Sequence, residues 1–307
     1  MTALRWTTGA ALILTYSLIV LGAWVRATGS GLACPDWPTC YGHWVPLPGE
    51  IPPDVGYSYL QVMLEWVHRL IAGVILGPLI LLIGVLAWRA RGANPRMPAY
   101  AGCLIVLLLI QAGLGGLTVL DQNSPWSVAL HLGTALVLLS AQCLIFQRAG
   151  GTPHPTSVPA RTLSGMVWLV ALGAMVSAAM VSKSGASLAC TSWPLCDGAL
   201  IPDLGDPQIR LHLTHRLLAL GVGLGVLALG VAARDEPGVR ALAWLAVVLV
   251  AIEIALGAIV VLDEVPFGAA LLHQALGVLI FAILSLVLWR AHGRTSDTEI
   301  AHGLSHA

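Results

Sequence analysis

Long apolar runs alternate with short polar segments along almost the whole chain, at lengths that predict eight membrane-crossing helices. A bilayer-crossing helix needs roughly 20 predominantly apolar residues. Such stretches cover residues 8–25, 62–88, 98–120, 126–147, 162–181, 209–233, 239–262 and 267–289. The fourth follows Pro125 and the eighth follows Pro266, and proline suits a helix start because its missing N–H is not needed there. The first run ends in Arg26 and lacks a small-residue cleavage site, so it reads as a transmembrane helix and not a cleaved signal.

Composition agrees with this pattern. The 307 residues are 57% hydrophobic and only 10% charged, with a mean hydropathy of +0.85, so the main solvent is lipid. The net charge is zero, which offers nothing to nucleic acid. The position of each charge is more informative. Arg5, Arg89, Arg91, Arg96 and Arg148 fall on one side of the eight spans, as do Arg161, Arg234, Arg240, Arg290 and Arg294. The other side is acidic, with Asp36, Glu50, Asp121, Asp203 and Asp263 among its residues. The Lys/Arg bias puts both termini in the cytoplasm and the long loops 27–61 and 182–208 outside.

The chain is also a duplication. GSGLACPDWPTC at 29–40 is answered by GASLACTSWPLC at 185–196, EWVHRL at 65–70 by HLTHRL at 212–217, QAGLGGLTVLD at 111–121 by EIALGAIVVLD at 253–263, and Leu130-His131 by Leu272-His273. Four spans return the chain to its starting side. Residues 1–150 and 151–307 are therefore expected to form two pseudo-symmetric four-helix bundles in the same orientation, related by an axis along the membrane normal. Small residues at Ala112, Gly113, Gly115 and Gly116, and at Ala255, Gly257 and Ala258, allow close helix packing or leave room for a flat ligand.

His68, His131, His215 and His273 lie at one depth, just inside the outer helix ends. Ionisable residues within a membrane are functional candidates by default. No further carboxylate or thiolate is expected deep in the bundle beside each pair, so zinc would be under-filled. Two axial imidazoles complete the coordination of an iron porphyrin, which points to one haem-type site per half. Arg69 and Arg216 follow two of these histidines and read either as snorkelling cations or as partners of a haem propionate. The halves differ where Glu65, on the same helix face as His68, is replaced by His212. That difference casts the first half as catalytic and the second as an electron carrier. His212 competes with His215 as a ligand, and the repeat register favours His215.

Of the six cysteines, Cys103 and Cys143 lie inside spans and receive no role. Cys34/Cys40 and Cys190/Cys196 share one spacing in outer loops, where an oxidising compartment favours disulfides. Their recurrence in both halves favours a staple over a redox-active pair, and the spacing alone proves neither.

With these motifs in place, and above all RATGSGLACPDWPTC at 26–40, EWVHR at 65–69 and QAGLGGLTVLD at 111–121, the chain resembles the haem A synthase family (the CtaA/Cox15 group) across residues 10–290. The resemblance implies oxidation of a porphyrin methyl of haem O to a formyl group, giving haem A, with water as the oxygen source. It implies that His68 and His131 hold the iron of haem O or haem A, that His215 and His273 hold haem b, and that Glu65 is the catalytic carboxylate. A haem O synthase nearby, an unidentified electron acceptor such as a quinone, and the plasma membrane of a prokaryote complete that expectation. Two other readings compete: a bis-His cytochrome relaying electrons between quinone and an outer partner, and a membrane thiol oxidoreductase.

Overall fold

The computed structural model describes residues 1–150 and 156–293. Arg294 and the start of the second half therefore lie outside the described residues. The fold is all-helical, and eight of its helices are long and apolar enough to cross a membrane. They are formed by α1 (Thr2–Ala27), α2 (Tyr59–Leu70) continued by α3 (Gly77–Arg89), α4 (Met97–Leu120), α5 (Pro125–Gly150), α6 (Val158–Lys183), α7 (Pro207–Ala232), α8 (Arg240–Leu262) and α9 (Phe267–Ala291).

Most helices extend beyond their apolar runs at one or both ends, whereas α8 coincides with its run to within one residue. The run measures only the hydrocarbon layer, whereas interfacial groups set the helix ends. α1 begins at Thr2, six residues before the expected start, and Arg5 donates to the Gly150 carbonyl while stacking over Phe146. At the same end, Arg148 donates to the carbonyl of His292, the C-cap of α9, where a helix leaves acceptors without intrahelical partners, and Arg290 donates to the Gly238 carbonyl in the loop before α8. At the other end, Ser58 and Gln61 form a capping box that starts α2.

Within each half the helices close a ring: α1, α2/α3, α4 and α5 in the first, α6 to α9 in the second. Between the halves α1 meets α9, α5 meets α6, and α5 meets α9, a pattern consistent with a pseudo-twofold axis. Half of the apolar stretch of α5 and of α9 is buried inside the protein, against 17% in α8, so the former are central and the latter is peripheral.

Between α2 and α3, residues Ile71–Leu76 form a π-helical turn. Pro78 is the local cause, because it lacks the N–H for the α-helical ladder and crowds the preceding turn. Gly225 stands at the matching point of α7, which stays α-helical and packs so closely on α6 that a Cβ there would lie 2.7 Å from Val167.

Candidate functional site: a four-histidine cavity

A cavity of about 1540 Å³ runs through both halves and is lined by His68, His131, His215 and His273. It exceeds the roughly 300–1000 Å³ of a single small-molecule pocket. The four rings come from α2, α5, α7 and α9, and their exposed edges face this space. Of the helices they come from, α2 and α7 begin at side-chain caps, Ser58 and Asp206, and both are gripped by the loops described below.

In the first half, Nδ1 of His68 is buried with no hydrogen-bond partner. The His131 ring is met by the Gln111 side-chain amide, whose nitrogen lies 3.2 Å from both ring nitrogens. Glycines let helix backbones approach the rings. A Cβ on Gly22 of α1 would lie 3.2 Å from Cε1 of His68, and one on Gly115 of α4 would lie 3.2 Å from Cε1 of His131.

The second half repeats this plan with different partners. Nδ1 of His215 sits 3.1 Å from the Ala174 carbonyl oxygen and 3.2 Å from the Ser177 hydroxyl. Donation to Ala174 fixes the tautomer and leaves Nε2 as the lone-pair nitrogen, the form a metal requires. Gly257 cradles His273 as Gly115 cradles His131, again at 3.2 Å. His212 is buried, and its Nδ1 has no partner.

The sequence pattern missed Glu253. Its Oε1 lies 3.1 Å from Nδ1 of His273, off the ring's N–H direction, so the contact is electrostatic and not an aligned hydrogen bond. The expectation that no further carboxylate lies deep beside the histidines is thereby corrected. The signal was available, since Glu253 answers Gln111 in the repeat and sits mid-span. Still, among the described residues no group of three or more His, Cys, Asp or Glu could hold a bare metal ion.

Glu65 is 5% exposed and lines the cavity. One oxygen accepts from the Cys34 backbone N–H at 2.9 Å and the other pairs with Arg69 at 2.6 Å. Arg69 also donates to the carbonyls of Cys34, Asp36 and Thr39. Glu65 and Arg69 thus clamp the loop between α1 and α2 onto α2, one turn from His68. Arg216 makes the equivalent grip on the carbonyls of Cys190, Pro194 and Leu195, without a carboxylate partner. Cys34–Cys40 and Cys190–Cys196 are both bridged, and both Trp-Pro bonds, at Trp37-Pro38 and Trp193-Pro194, are cis. Gly116 accepts the Trp37 ring against its backbone, so part of the small-residue stripe serves packing and part the cavity.

These features fit an iron porphyrin. Paired imidazoles from separate helices, an orphaned ring nitrogen and glycine cradles that bare the rings all surround an apolar space large enough for a flat macrocycle.

Comparison with known proteins gives a consistent result. The family model COX15-CtaA, described as cytochrome oxidase assembly protein, matches residues 5–285. A protein named heme A synthase from Shewanella oneidensis is 29% identical over 95% of this chain and 99% of its own length. Proteins of the same name from Geobacillus kaustophilus and Symbiobacterium thermophilum are each 30% identical, over 93% and 88% of this chain and 90% of theirs.

Proposed function

The chain belongs to the COX15-CtaA family of cytochrome oxidase assembly proteins, and on that premise we propose that it is a haem A synthase of a bacterial plasma membrane, with both termini cytoplasmic. The observation that carries the proposal is the arrangement of four repeat-related histidines on one apolar cavity, with the buried carboxylate of Glu65 one helical turn before His68 on α2, where the second half has His212.

In this reading His68 and His131 hold the iron of the substrate, haem O, and His215 and His273 hold a resident haem b. The substrate's methyl is oxidised in two steps. Water supplies oxygen to give an alcohol, releasing two electrons and two protons, and a second step of the same size gives the aldehyde of haem A. His215 and His273 would hold that haem b, which would supply one-electron redox capacity toward an acceptor such as a quinone. The protein's own residues supply position and charge. Glu65 faces the first half of the cavity, where its negative charge stabilises positive charge developing on the reacting carbon and it takes up a proton. Arg69 and the Cys34 N–H hold that carboxylate in place, and the helices exclude bulk water. A haem O synthase is the expected source of the substrate.

The test is expression with a haem O source, followed by chromatography of extracted haems. The wild type yields haem A. Glu65→Gln loses it by about 100-fold or more while retaining the low-spin b-type spectrum of the second half. Haem A formation unchanged in Glu65→Gln removes Glu65 from the chemistry. Stable b-type haem in both halves with no formyl haem supports the electron-relay cytochrome instead.

A further inference from the structure

The outer end of the molecule is acid-rich, yet five Lys/Arg side chains belong to it: Arg26, Arg69, Lys183, Arg210 and Arg216. Three of them are spent on backbone carbonyls of the loops: Arg69 and Arg216 as described, and Arg210 on Leu204 and Gly205. Arg26 and Lys183 are different. Both line the cavity. Arg26 donates to the Ser182 hydroxyl and, at 2.9 Å, to the Gln274 side-chain oxygen, and it meets no carboxylate. Lys183, the sole lysine in the sequence, makes no hydrogen bond or ion pair among the described residues. It directly follows Ser182, so the two cations are neighbours. The cavity's carboxylates do not neutralise them: Glu65 is held by Arg69, Glu253 sits at His273, and exposed Glu264 pairs with neither.

A cation withdrawn from water at a helix end is costly without an anion. Arg26 also stands in register with the first histidine site. It lies four residues, one helical turn and so roughly 6 Å, along α1 from Gly22, the glycine that cradles His68. Its repeat-equivalent on α6 is Ser182, the residue it touches, so the contact lies where the two halves meet.

We infer that Arg26 and Lys183 form a carboxylate-recognition site that grips the acid side chains of the porphyrin bound between His68 and His131. The inference rests on the porphyrin reading above and adds the device that orients the macrocycle, with its acidic edge toward the outer face at the junction of the halves. Arg69 and Arg216 are thereby released from that role, because the loop carbonyls occupy them.

The experiment compares binding of iron protoporphyrin IX with that of its dimethyl ester, which keeps the ring and iron and removes both charges. The detergent-purified full chain is titrated, and quenching of tryptophan fluorescence reports occupancy, since Trp37, Trp44 and Trp66 line the cavity. The wild type binds the diacid at least about tenfold more tightly than the diester, as charge-assisted hydrogen bonds imply. Arg26→Gln brings the ratio near one, Lys183→Met lowers it, and Arg26→Lys keeps most of it, which separates charge recognition from loss of fold. A wild-type ratio near one, or a full ratio in Arg26→Gln, overturns the inference. Haem A made without discrimination sinks this site and leaves the synthase reading standing; discrimination without haem A does the reverse.

Discussion

Glu253 stands where the first half has Gln111, and Glu65 stands where the second half has His212. Each half therefore holds one carboxylate on the cavity, buried at Glu65 and part-buried at Glu253, placed on a different helix relative to its histidines. In the first half the carboxylate accepts from the loop and lines the cavity; in the second it lies against the His273 ring. A negative charge beside an axial imidazole makes the ring more basic and stabilises the oxidised iron. Replacing Glu253 by Gln, the residue the first half already uses, is expected to raise the midpoint potential of the haem proposed between His215 and His273 by tens of millivolts, with about 59 mV corresponding to tenfold for one electron. Spectroelectrochemical titration of the purified protein measures it. An unmoved midpoint would show that the carboxylate serves packing against Gly277 and Met175, whose atoms crowd the same spot.

At the scale of elements, the outer loops show what the sequence made legible and what it did not. The eight spans follow from apolar run length, and the two cysteine bridges from the matched spacing of the repeat. The left-handed turns at Gln122-Asn123 and Glu264-Val265 occupy equivalent places after α4 and α8, yet share no residue. There the turn geometry between two fixed helices decides the backbone, and even a β-branched valine follows at φ 64. The π turn was equally hidden inside an unbroken apolar run, because hydropathy cannot distinguish an α from a π ladder. The loops also differ in how they are tied. Asp36 accepts the Thr39 hydroxyl and the N–H groups of Tyr41 and Gly42, whereas the second loop uses Asp197 to accept from Thr191. Partial burial alone would raise the Asp36 carboxyl, but these hydrogen bonds together hold it below the ordinary range. A depressed folded-state value means the ionised carboxylate supports the loop at every pH above its unfolded value of about 3.9, and the support is lost as pH falls through the lower folded value. Amide exchange in residues 36–43, corrected for intrinsic rate, is expected to stay protected at pH 5 and to open only in stronger acid. In Asp36→Asn the same amides should exchange faster by about tenfold at neutral pH. Equal protection in the variant would mean that the bridge and the Arg69 clamp suffice.

For the whole molecule, the repeat draws a boundary near residue 150 that the packing does not respect. The larger apolar core gathers Ile19, Leu136 and Leu139 of the first half with Phe281, Leu284 and Val287 of α9. Hydrogen bonds cross the same seam: Tyr16 to the Ala275 carbonyl at 3.2 Å, Trp289 to Ser140 at 3.0 Å and Arg26 to Gln274. In lipid no hydrophobic force drives two finished bundles together, so close packing and such polar contacts must hold the seam, each contact contributing about 0.6–2 kcal/mol. The seam is also the middle of the cavity, which means neither half encloses its own site. The two repeats are thus expected to behave as one folding unit. Expressed alone, residues 1–150 or 151–307 should fail to give a monodisperse species in detergent or a native low-spin haem spectrum, whereas co-expression of the two should restore both. A C-terminal half that binds haem stably alone, with the spectrum of the full chain, would defeat this view. The seam can also be weakened without cutting the chain. Trp289→Phe removes one hydrogen bond while keeping the ring, and is expected to lower stability by about 1 kcal/mol. If the loss of second-half haem on heating then tracks the loss of substrate binding in the first half, the halves fall together, as a shared cavity requires.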